Sequence, residues 1–130
     1  MNKERILEIA DLIEAGHERM VFDMTEWGGE HPCGTAACIA GWTVARFGWN
    51  GRAMQIDHRR PLGGGRDVFD GAQCVFGLAY SEAQRLFAPN ERRDGADMWE
   101  VTAEHAVRTL RHLAETGNVD WRATMVESAS

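Results

Sequence analysis

A chain of 130 residues, 44% hydrophobic and 26% charged, has the composition of one ordinary globular domain rather than of a disordered or membrane protein. No apolar run approaches the ~20 residues that cross a bilayer. The net charge of −6 opposes non-specific binding to nucleic acid, which needs an excess of Lys and Arg to neutralise phosphates.

The first element predicted is a helix over residues 3–15, with Ile6, Ile9, Ala10 and Ile13 on one face, Asn2 as its cap and Gly16 as its stop. Its mixed charge is unlike the continuous apolar core of a signal peptide. Residues 17–34 read as an irregular connection pinned by Phe22, Met24 and Trp27. Thr35 is then expected to cap a second helix running to about Phe47 and stopped by Gly48. Ala37, Gly41 and Ala45 recur every four residues along it, so another backbone can approach closely, and this predicts a buried central helix.

Residues 48–66 read as a long loop containing Pro61 and Gly63-Gly64-Gly65. A helix over about 66–77 follows, with Val68, Phe69, Ala72, Val75 and Phe76 on one face. Ser81-Glu82-Ala83-Gln84 reads as a capping box opening a brief helix that Pro89 ends. APNERRDGAD is expected to be a polar surface loop. The last strong helix spans about 102–116, closed by Gly117, and Trp121 is expected to fold back onto the core. The prediction is an all-α domain over residues 1–122, about five helices around the small-residue helix, with a frayed tail over 123–130.

Two segments could carry chemistry. In HPCGTAACIAGW, His31, Cys33 and Cys38 surround the expected helix start. There the free N–H groups of Ala36, Ala37 and Cys38 would favour a Cys33 thiolate, with His31 as base. A zinc site of His31, Cys33 and Cys38, with Cys74 or His58 as a fourth ligand, is the other chemical reading. Only one Cys pair exists, at the edge of structural-zinc spacing, and no downstream histidine sits in a base context, since His105 and His112 lie opposite an apolar stripe. A packed core cysteine at Cys38 outweighs both. No cofactor is expected.

The second segment is electrostatic. Between Arg46 and Arg66 lie five arginines (Arg46, Arg52, Arg59, Arg60, Arg66) against Asp57, a local balance of +4 that leaves −10 for the remainder. HRRPLGGGRD runs straight into a helix. Arg59, Arg60 and Arg66 supply charge, Gly63, Gly64 and Gly65 let backbone N–H groups approach an anion, and Trp49 offers a stacking surface. No Gly-Lys-Ser/Thr follows, so this is not a nucleotide P-loop. The helix–turn–helix pattern over residues 66–88 reads as an ordinary hairpin, because SEAQRLFA is short and offers only Arg85 to a base.

FDMTEW (Phe22 to Trp27), CGTAACIAGW (Cys33 to Trp42), SEAQRLF and TLRHLAETGNVDW together resemble a family of small, mostly uncharacterised proteins of bacteriophage and bacterial genomes. The resemblance covers most of the chain, and the cysteine segment is its most specific part. It implies a cytoplasmic accessory protein of phage or bacterial origin, and carries no activity over to any residue. The three cysteines, an odd number, agree with a reducing compartment. The expectation is a non-enzymatic protein that binds an anionic, phosphate-bearing small molecule or an acidic partner-protein surface. Nucleic acid and membrane are disfavoured as partners, and a homo-oligomer is compatible with the sequence. A Cys33-dependent hydrolase or transferase and a small zinc domain are the alternatives.

Overall fold

Residues 3–15 form a helix because every local signal agrees. In the computed structural model, which describes residues 1–16, 20–24, 29–31, 34–47 and 65–129, α1 spans Lys3–Ala15. The Asn2 side chain accepts the Arg5 N–H at 3.1 Å. Gly16, at φ +78°, donates back to the Leu12 carbonyl. Ile6, Ile9, Ala10 and Ile13 are all buried. Each such aliphatic side chain is worth roughly 1.5–3 kcal/mol on leaving water.

The domain is all-α in class, with seven helices among the described residues where the sequence suggests about five. It also holds three short strands that no sequence periodicity announces: β1 (Met20–Phe22), β2 (Gly29–His31) and β3 (Gly34–Ala37). They form one sheet in the order β1-β3-β2. β3 is central, parallel to β1 through Val21 opposite Ala36 and antiparallel to β2 through Glu30 opposite Thr35. Parts of the expected irregular connection are therefore strand. Strands of three or four residues are too short for period-two alternation to stand out, and Gly, Ala and Thr give it no amplitude.

α2 (Ile39–Phe47) follows β3 directly. Thr35 is not its cap: it lies within the ladder, four residues ahead of the helix. The centrality of α2 stands. Ile39, Ala40, Trp42, Thr43 and Val44 are all at most 1% exposed, and α2 packs on α1, on α3 (Gly65–Phe76) and on α4 (Tyr80–Phe87). Val68, Ala72, Val75 and Phe76 bury the inner face of α3. Phe87 meets Phe69 edge-on at 5.5 Å and Phe76 at 5.9 Å, fastening α4 to it. The start of α1 is tied to the end of α3, as Asn2 N–H donates to Phe76 O at 2.7 Å and Arg5 Nη1 to Val75 O at 3.2 Å.

The α4 helix begins two residues after Leu78, with Ala79 rather than Ser81 at its cap position. The Glu82 carboxylate accepts the Ala79 N–H at 3.4 Å. The expected APNERRDGAD loop contains a one-turn helix, α5 (Glu91–Asp94), that internal bonds hold. Asn90 Oδ1 accepts the Arg93 N–H, and the largely buried Asp94 carboxylate accepts the Asn90 N–H and the Arg93 Nε–H. Gly95 ends α5 at φ +69°, where a Cβ would lie 2.6 Å from Arg122 Cγ. That space is taken because Arg122 donates to the Arg93 carbonyl at 3.1 Å.

α6 (Ala103–Thr116) matches its predicted bounds and lies along α1. Arg111 forks onto Glu14 (2.8 and 3.0 Å) and Asp11 (3.0 Å) across that interface. Trp121 folds onto the core as expected, 1% exposed, its indole N–H donating to Arg85 O at 2.6 Å. Trp121 opens a further helix, α7 (Trp121–Ala129), and the buried Thr109 hydroxyl donates to Thr124 Oγ1 at 2.9 Å. No helix among the described residues is long and apolar enough to cross a membrane.

Candidate functional site

The cysteine segment folds as a strand-to-helix junction rather than as a helix start. Ala36 and Ala37 are ladder residues of β3, paired with Val21 and Phe22, so they do not offer the free helix-start N–H groups on which a Cys33 thiolate would depend. Cys33 itself lies outside the described residues, as does His58. His31 ends β2, its backbone opposite Gly34.

Cys38 sits one residue past β3, and its carbonyl accepts the Trp42 N–H at 2.9 Å to open α2. Its thiol is 1% exposed. Burial pushes that thiol up to about 11, against the opposing pull of the Gly41 and Ala40 N–H groups that point at the sulfur. Cys38 is therefore a protonated core residue at neutral pH, the packing role that the sequence favours.

The zinc arrangement meets a geometric obstacle. β3 runs between the two described ligands: His31 stands beside its first residue, Gly34, and Cys38 follows its last. Four steps of extended chain put roughly 13 Å of backbone between them. Among the described residues no group of three or more His, Cys, Asp or Glu could hold a metal ion. Cys74 is an exposed free thiol on α3, far along the chain from the segment.

Of the arginine and glycine segment, Trp49, Arg52, Arg59, Arg60, Gly63 and Gly64 lie outside the described residues. Gly65 and Arg66 are the first two residues of α3, a helix of 12 residues, so HRRPLGGGRD does end in a helix N-terminus. Arg46 is engaged within the fold. Its Nε lies 3.1 Å from Glu8 Oε2, and its guanidinium stacks 5.1 Å over the Phe47 ring, which Arg5 covers at 5.5 Å. The pairing across α1 and α2 removes one of the five positive charges from any anion site.

Two concavities among the described residues lie elsewhere, and the sequence does not single out either. One, of about 480 Å³, is lined by Lys3, Arg5, Cys74, Val75 and Gly77 where α1 starts and α3 ends. The other, of about 370 Å³, lies between α1 and α6 over Ile13, Ala103 and Val107 and is rimmed by Arg108 and Arg111. The rim is internally paired: Arg108 meets Glu104 at 2.6 Å, and the hydrogen bond from Arg111 holds the Glu14 carboxyl below its ordinary range. Both rims read in sequence as the solvated faces of amphipathic helices, and only tertiary packing turns them into grooves. His105, also expected to be solvated, helps to build the fold, because its Nδ1 accepts the Thr102 N–H at 3.0 Å.

No family model, no curated protein and no solved structure matches this chain.

Proposed function

We propose that the chain is a binding protein rather than an enzyme, and that it captures an anionic, phosphate-bearing small molecule or an acidic protein surface through the segment leading into α3. Arg59, Arg60 and Arg66 supply positive charge, Gly63, Gly64 and Gly65 supply backbone N–H donors, and Trp49 supplies a stacking face. The observation that carries the reading is that the triple glycine runs without interruption into α3, whose first residues are Gly65 and Arg66. The first amides of a helix lack intrahelical partners and its start is the positive end of its dipole, and in the chain the start of α3 follows directly on the most basic stretch of an otherwise strongly acidic sequence. A bacterial or phage cytoplasmic setting, which the motif resemblance implies, completes the proposal.

The cysteine alternative is the weaker one, because β3 occupies the backbone that would activate Cys33. Calorimetric titration with inorganic pyrophosphate and with a nucleoside triphosphate separates the two. Binding that weakens with salt, is lost in Arg59→Ala/Arg60→Ala and persists in Cys33→Ser supports the anion site. Binding unchanged in the double arginine variant defeats it, and turnover abolished by Cys33→Ser would replace it with an enzyme.

A further inference from the structure

At 81%, Trp99 is the most exposed large hydrophobic side chain among the described residues, yet its backbone is fastened on both sides. The Asp97 carbonyl accepts the Glu100 N–H at 2.9 Å, and Asp97 Oδ1 accepts the Trp99 N–H at 3.0 Å. Ala96 and Val101 are buried on either side of this turn, and Met98 packs against the core. The aspartate side chain and the turn together fix the chain that carries the indole. A lone exposed aromatic needs no explanation. This one shares its turn with two acidic residues, Asp97 and Glu100, and neither forms an ion pair among the described residues.

We propose that this turn docks a basic, arginine-bearing segment of a partner protein. A guanidinium lies flat on an indole face and presents N–H groups around its edge, and the acidic residues Asp97 and Glu100 in the same turn supply negative charge that suits those donors. The turn is built before the partner arrives, so little ordering remains to oppose association. The same carboxylates repel phosphate, which makes this surface separate from the anion site proposed above, and it does not depend on that reading.

The test is to titrate an oligoarginine peptide into the whole ¹⁵N-labelled chain at low salt, with oligolysine of equal length as comparator, following the five indole N–H resonances. The Trp99 resonance, assigned by its loss in Trp99→Phe, moves most. Trp99→Ala weakens binding at least about fivefold, and oligolysine binds more weakly because it lacks the planar fork. Asp97→Asn combined with Glu100→Gln also weakens binding while keeping the turn, since asparagine still accepts the Trp99 N–H. The proposal is overturned if Trp99→Ala binds as tightly as the native chain. Equal affinity for oligolysine, or a largest shift on an indole other than Trp99, overturns it as well.

Discussion

α6 and α2 both bury residues in the core, and they begin in opposite ways. α6 opens at the surface, where Thr102 and His105 exchange bonds: Oγ1 accepts the His105 N–H at 3.3 Å and Nδ1 accepts the Thr102 N–H at 3.0 Å. α2 opens inside the domain on the end of a strand, with a buried thiol facing its first amides. Four residues of local chemistry suffice to start α6. The start of α2 is set by a ladder whose other strands lie elsewhere in the chain. The first kind of boundary is robust to changes in the fold, and the second exists only with it.

Perturbing each helix sharpens this contrast. The largest effect falls on α2. Trp42, 1% exposed, loses about 3–5 kcal/mol of stability as Trp42→Ala in urea unfolding. Its indole N–H has no hydrogen-bond partner among the described residues, so Trp42→Phe relieves an unpaired buried donor and costs far less. Equal losses for the two substitutions would show that the donor is satisfied.

Cys38 gives the next effect, and it depends on pH. The thiol titrates at 9.0 in an ordinary setting and at about 11 in the fold, so the unfolded chain gives up its proton first. The contribution of protonated Cys38 is intact below about pH 9 and is lost as pH rises through about 11. Unfolding free energies of native chain and Cys38→Ala therefore diverge in slope over that window. Iodoacetamide at pH 8 labels the exposed Cys74 and spares Cys38 until the chain unfolds, which peptide mass spectrometry reads directly.

The start of α6 is a smaller contributor. Thr102→Ala costs about 1 kcal/mol, and Thr102→Ser largely restores it. Smallest of all is the Arg111 fork, which is solvated. Because Arg111 lowers the Glu14 pKa, its contribution is present above the ordinary carboxylate range and fades as acid protonates Glu14. Arg111→Gln slightly flattens the acid limb of the stability curve and changes little at neutral pH.

The same contrast explains what the sequence alone makes legible. α1, α6 and the inner face of α3 are legible because Asn2, Gly16, Thr102 and Gly117 are caps and stops acting at short range, beside strong aliphatic periodicity. The start of α2 is not, because Gly34-Thr35-Ala36-Ala37 suits a helix cap as well as it suits a strand. What decides the matter is pairing with Met20–Phe22 and Gly29–His31. α5 escapes notice because its polar residues satisfy one another: Asp94 is largely buried, an unusual place for an aspartate, but its bonds go to Asn90 and Arg93. Of the candidate site, the charge contrast and the run of HRRPLGGGRD into α3 are legible. The capture of Arg46 by Glu8 on α1 is not.

The bond from the Trp121 indole to the Arg85 carbonyl joins groups 36 positions apart and closes a ring containing α5 and α6. That single proton is thus a built-in gauge of the C-terminal third. Its exchange with deuterium counts how often α7 swings off α4, and comparing that rate with the global unfolding rate tells whether the third detaches alone or melts with everything else.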